Sequence, residues 1–85
     1  MYIVTFKKKA GKELSKLPTP ILKRVSVAID LLEENPRPDN SKKLKGSGEN
    51  TWRIRVGDYR IIYVIEDTIK IVEIRKVGHR KDVYL

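Results

Sequence analysis

The hydrophobic pattern of the chain changes period twice. Tyr2-Ile3-Val4-Thr5-Phe6 is rich in β-branched and aromatic residues and predicts a strand. From Lys7 to Leu17, Ala10, Leu14 and Leu17 fall at helical spacing with lysines opposite. This predicts a short helix, weakened by Gly11 and ended before Pro18. Thr19-Pro20 then offers a hydroxyl N-cap and a proline at the first helical position. Ile21, Val25, Ala28, Ile29 and Leu32 recur at i, i+4, i+7, i+8 and i+11, the stripe of a helix that faces a core. Asn35-Pro36 stops it.

Residues 36–50 form a long loop, first proline-rich and then basic and glycine-containing (Lys42, Lys43, Lys45, Gly46, Gly48). Beyond it, Thr51–Val56, Tyr59–Ile65 and Ile69–Val77 read as strands. Gly57-Asp58 fits a two-residue hairpin turn with glycine first, and Glu66-Asp67-Thr68 supplies a second turn. The tail from Gly78 to Leu85 is short and polar. The order β-α-α-β-β-β predicts an α+β fold, with two N-terminal helices packed on one face of a small, mostly antiparallel four-stranded sheet. No repeat or boundary divides the chain, so residues 1–85 are expected to form a single domain.

Strand parity then says where the arginines point. Along Thr51–Val56, Trp52, Ile54 and Val56 alternate with Arg53 and Arg55, so the two arginines share a face. A two-residue turn sets Val56 opposite Tyr59, Arg55 opposite Arg60, Ile54 opposite Ile61 and Trp52 opposite Tyr63. Trp52, Ile54, Ile61 and Tyr63 then build the helix-covered core, while Arg53, Arg55 and Arg60 gather on the open face. Arginines directly across a ladder repel, and local conflict of that kind marks candidate functional sites. A phosphate site is one outcome. The alternative is a solvated face, or one neutralised by Glu73, which an even second turn places on the Arg60 side.

Composition narrows the partners. The 85 residues include 19 Lys plus Arg against 11 Asp plus Glu, a formal charge of +8. Such a field suits nucleic acid, an anionic membrane surface or an acidic protein. There is no cysteine, so disulfides and the usual Cys-based zinc and redox sites are excluded, and a cytoplasmic setting is expected. No apolar run approaches the roughly 18 residues of a membrane span. His79 is the sole histidine and the one side chain with an ordinary pKa near neutrality. It reads as an acid–base group or as a plain surface residue. Tyr84 could stack on a base or pack on the sheet edge.

Four segments in order carry a family resemblance: Lys43-Leu44-Lys45-Gly46, Trp52-Arg53-Ile54-Arg55, Gly57-Asp58-Tyr59-Arg60-Ile61-Ile62-Tyr63, and Val77-Gly78-His79-Arg80-Lys81-Asp82-Val83-Tyr84. Together they resemble the RelE branch of the RelE/ParE toxins over nearly the whole chain. The resemblance implies a toxin that enters the ribosomal A site, cuts the bound messenger RNA without a metal or cofactor, and leaves a cyclic phosphate. It also implies a RelB-like antitoxin encoded alongside, a monomeric free toxin, and a higher-order complex with the antitoxin. Carried over by position, the site residues are Arg53, Arg55, Arg60, Arg80 and Tyr84; Lys42, Lys43 and Lys45 of the basic loop are expected to bind RNA.

One departure has chemical consequences. The best-known relatives carry lysine where this chain has Arg53 and Arg55. Arginine stays protonated in proteins, so these two clamp phosphate but do not abstract a proton. The resemblance then assigns the base to His79, as in histidine-containing relatives, with Tyr84 as second candidate. The rival functions are a ParE-like DNA gyrase poison and a non-catalytic RNA- or ribosome-binding module.

Overall fold

A computed structural model describes residues 1–46 and 48–83. In chain order the elements are β1 (Ile3–Phe6), α1 (Lys8–Ser15), α2 (Thr19–Leu31), β2 (Ser41–Lys43), β3 (Thr51–Val56), β4 (Tyr59–Glu66), β5 (Ile71–His79) and α3 (Arg80–Val83). The strands form one five-stranded sheet in the order β1-β5-β4-β3-β2. Three neighbouring pairs are antiparallel, and β1 runs parallel to β5. The expected α+β architecture holds. The sheet gains a fifth strand, because Ser41–Lys43 leaves the long loop to pair with Trp52–Ile54. No helix among the described residues is long and apolar enough to cross a membrane.

Both helices bury the stripes their spacing predicts. Ala10 from α1 and Val25 and Ile29 from α2, with Leu32 at its end, pack against Ile54, Ile61, Tyr63, Ile65, Val72, Ile74 and Val77 from the sheet. The cap of α2 differs from expectation. Pro18 occupies the N-cap position, and no side-chain hydrogen bond caps the helix, so the Thr19 hydroxyl does not serve there. Tyr63 is fully buried, and its hydroxyl donates to the Pro36 carbonyl at 2.7 Å. That bond ties the segment after α2 to the sheet centre, and burial pushes the phenol pKa up to about 12.

An extra residue interrupts β5. Ile62 pairs with Lys76 and Tyr63 with Ile74, so Arg75 is bulged out of the ladder. Before the bulge, Glu73 lies opposite Val64 and shares the Arg60 face. Beyond it the parity is reversed, and Val77 enters the core opposite Ile61.

Candidate phosphate-binding site

The β3–β4 hairpin has the register that a two-residue turn dictates. Arg55 stands opposite Arg60, Ile54 opposite Ile61 and Trp52 opposite Tyr63. Gly57 takes φ +59°, the left-handed conformation that glycine adopts without steric cost. Arg53, Arg55 and Arg60 therefore share the face away from the helices. Lys42 joins them, because β2 sets it opposite Arg53. With Leu44 they line an open cavity of about 310 Å³.

The three guanidinium groups differ in environment. Arg53 and Arg60 are 7% and 8% exposed, whereas Arg55 is exposed. Arg60 is held by its own hairpin, donating through Nη1 to the carbonyls of Gly57 (3.2 Å) and Tyr59 (3.1 Å). The Nε atoms of Arg53 and Arg60 are buried without a hydrogen-bond partner among the described residues. No acid pairs with any of the three among the described residues. Buried cations without counter-ions are costly, and a phosphate oxygen would relieve that cost with charge-assisted hydrogen bonds.

Glu73 does not supply the missing charge. It accepts a hydrogen bond from Arg75, whose two Nη atoms also clamp the Glu49 carboxylate at 3.1 and 2.9 Å. Arg75 holds Glu49 below the usual carboxylate range. On the helix side, Arg37 binds Asp67 through both Nη atoms and lies 5.3 Å from the Trp52 ring centroid. Arg37 and the Tyr2 hydroxyl together lower the Asp67 pKa. Asp67 is thus engaged with Arg37, and Glu49 and Glu73 with Arg75.

The remaining expected site residues are dispersed. Lys43 lies opposite Trp52, on the other parity from Lys42, and Lys45 is exposed beyond Leu44 outside the cavity lining. Arg80 begins α3, with its backbone N–H donating to the Asp58 carbonyl at 2.8 Å and its side chain exposed. His79 pairs with Tyr59 across the β4–β5 ladder, so it stands on the helix side rather than with Arg60. Its Nδ1 accepts from the Lys81 N–H at 3.2 Å, which in the neutral ring leaves the proton on Nε2. Tyr84 lies outside the described residues.

Residues 4–84 match the family model described as the ParE toxin of type II toxin–antitoxin system, parDE. The chain belongs to the RelE/ParE toxin family. It is 37% identical over 84 residues to the putative toxin RelE1 of Methanocaldococcus jannaschii, covering 95% of this chain and 92% of that one. It is also 37% identical over 84 residues to toxin RelG of Mycobacterium tuberculosis, covering 98% and 95%. Its structure superposes on that of the archaeal RelE–RelB complex from Pyrococcus horikoshii with a TM-score of 0.83. There the identity is 34%, and 96% of this chain and 98% of that chain are covered.

In this toxin-family chain, sequence reasoning did not single out two residues, one in the cavity wall and one beside the hairpin turn. Leu44 forms an apolar wall of the cavity, placed there by its N–H bond to the Thr51 carbonyl at 2.8 Å. Arg24 of α2 lies against the hairpin tip, its Nη2 3.5 Å from where a Gly57 Cβ would stand. Charge at an exposed helical position gave no signal for it.

Proposed function

We propose that this chain is a ribosome-dependent messenger-RNA endoribonuclease, the toxin of a toxin–antitoxin pair. The observation that carries it is the cavity of Arg53, Arg55 and Arg60, in which Arg53 and Arg60 are largely buried and none of the three pairs with an acid among the described residues. A phosphodiester fits such a site. Attack by the ribose 2′-oxygen, its proton passing to a base, forms a new P–O bond and breaks the bond to the 5′-oxygen of the next nucleotide, which departs as a hydroxyl on taking a proton from water and leaves a 2′,3′-cyclic phosphate. The developing dianion is stabilised by cations fixed in advance, and Arg60, anchored on its own turn, is the best fixed of the three.

The proton-abstracting group is not His79 in this scheme. The ring is on the opposite face, and its Nδ1 lone pair is engaged by Lys81. The role passes to Tyr84, with substrate alignment supplied by the ribosome. Exposed Arg55 and Lys42 add charge for the RNA backbone. The RelE–RelB complex of the Pyrococcus horikoshii relative supports a RelB-like antitoxin. An acidic, partly disordered antitoxin segment would cover the arginine face.

The family model's ParE description favours a second reading, a poison of DNA gyrase. Cell-free translation with toeprinting, alongside a gyrase supercoiling assay, separates the two. Cutting of messenger within the A site supports the nuclease. Inhibited supercoiling with intact messenger supports the gyrase poison.

A further inference from the structure

His79 and Tyr59 meet at a second opening, on the other side of the sheet from the arginines. It is a cleft of about 290 Å³ between the end of α1 and the end of β5, lined by Glu13, Lys16, Leu17, Tyr59, Val77 and His79, among others. We propose that this cleft is a second nucleotide subsite. It would hold the base of a single-stranded RNA nucleotide beside the one whose phosphate lies on Arg60. The inference rests on the reading of the arginine cavity as an RNA phosphate site.

The chemistry of the lining suits a nucleobase. The Tyr59 and His79 rings meet edge to face, with centroids 5.5 Å apart and planes at 80°. In such a pair, the ring that offers its edge keeps both faces uncovered by its partner. Base–aromatic stacking needs such a face and is tolerant of sequence. Leu17 adds apolar wall. Glu13 accepts the Val77 N–H through Oε1 at 3.0 Å, and its Oε2 is directed to no donor among the described residues. That oxygen is an acceptor for an exocyclic amino or ring N–H of a base. The neutral His79 ring offers Nε2–H as a donor. Lys16 is exposed and carries no acid within salt-bridge distance among the described residues, leaving its ammonium for a phosphate.

The path from the arginine cavity is short. Tyr59 and Arg60 are consecutive in β4, about 3.3 Å apart along the strand, and point to opposite faces. Across the ladder, His79 faces Tyr59 and Gly78 faces Arg60. β1 pairs with Ile71–Ile74, so among the described residues no strand closes the β5 edge from Arg75 to His79. At the hairpin tip, Arg24 offers a guanidinium free of acidic partners among the described residues, beside Gly57. An RNA strand rounding this end of the sheet meets cations or rings at each step. An anionic, base-bearing chain fits that order better than an acidic peptide, which would leave the two rings without a stacking partner.

The test is a titration of the ¹⁵N-labelled full chain with a 2′-O-methylated RNA trinucleotide, which cannot be cut through its 2′-hydroxyl, followed by NMR. Amide shifts are expected at Arg55 and Arg60 and also at Lys16, Tyr59 and His79. Upfield movement of the His79 and Tyr59 ring protons would report stacking. Tyr59→Ala should weaken binding roughly 5- to 150-fold, the range for loss of one stacked base, and Tyr59→Phe should restore it. The surface variant Lys16→Glu should weaken binding several-fold in a fold left unaltered. Shifts confined to the arginine face would overturn the subsite and leave the arginine reading standing. Equal cleft shifts from inorganic phosphate, without ring-proton movement, would overturn the base-binding assignment. A glutamate-rich peptide that shifts the cleft where the trinucleotide does not would identify a protein-docking surface instead. Absence of shifts on both faces would remove the arginine reading along with the subsite.

Discussion

Arg55 and Arg60 stand directly across the β3–β4 ladder, one exposed and the other buried against its own turn. Two cations in that relation repel, and neither has an acid within salt-bridge distance among the described residues. The hairpin register holds them together. It is fixed by the two-residue turn and by the apolar pairs Ile54–Ile61 and Trp52–Tyr63 on the opposite face. Core packing thus maintains a charge arrangement that would not persist by itself.

The turn is therefore a sensitive point. Gly57 has φ +59°, where a side chain costs about 1–2 kcal/mol, and a Cβ there would touch Arg24. Gly57→Val should lower the unfolding free energy by at least that much. Gly57→Asn, a residue that tolerates the conformation, should lower it less. Urea denaturation of the two variants checks the order.

Removing a cation from the cavity should stabilise the fold. Arg53 is 7% exposed, and its Nε is buried with no partner among the described residues, so part of its desolvation is uncompensated. Arg53→Met keeps the apolar stem without the charge and should raise the melting temperature, by an energy of about 1–4 kcal/mol for comparable replacements. The same variant should lose the stabilisation that added phosphate gives the wild type. Calorimetry with and without phosphate reads both effects.

Tyr63 gives a pH signature. Its folded pKa is raised to about 12 by burial, above the ordinary value near 10. Its contribution is complete below about pH 10 and is lost as pH rises toward about 12, because the unfolded phenol ionises first. Tyr63→Phe should therefore flatten the alkaline limb of stability. At neutral pH it should cost about 0.5–1.5 kcal/mol, for the bond to the Pro36 carbonyl. Denaturation midpoints from pH 7 to 11.5 test it.

The sequence made the arginine face legible because one turn and one alternating strand decide it. Trp52-Arg53-Ile54-Arg55 leaves no ambiguity of face, and the even turn carries Arg60 to the same side. Other features left weaker signals. Ser41–Lys43 has no apolar residue, so nothing distinguishes it from loop until β3 offers an edge. The second turn occupies 67–70 rather than 66–68, with Lys70 at φ 57°. The side of the sheet that His79 takes depends on a single residue. Strict alternation from Glu73 carries it onto the Arg60 face, and the bulge at Arg75 reverses that parity. Arg75 carries no sequence mark of a bulge, such as a glycine.

The most direct measurement is single-turnover cleavage of messenger on programmed ribosomes by the wild type, Arg60→Ala and Arg60→Lys, with analysis of the product's 3′ end. If Arg60 stabilises the transferring phosphate, Arg60→Ala should slow cleavage about 100- to 1000-fold with little change in ribosome affinity. Arg60→Lys should recover only part of the rate, because an ammonium cannot make the bidentate contact. The wild-type product should end in a 2′,3′-cyclic phosphate. A 3′-hydroxyl end, or an unchanged rate in Arg60→Ala, would contradict the account.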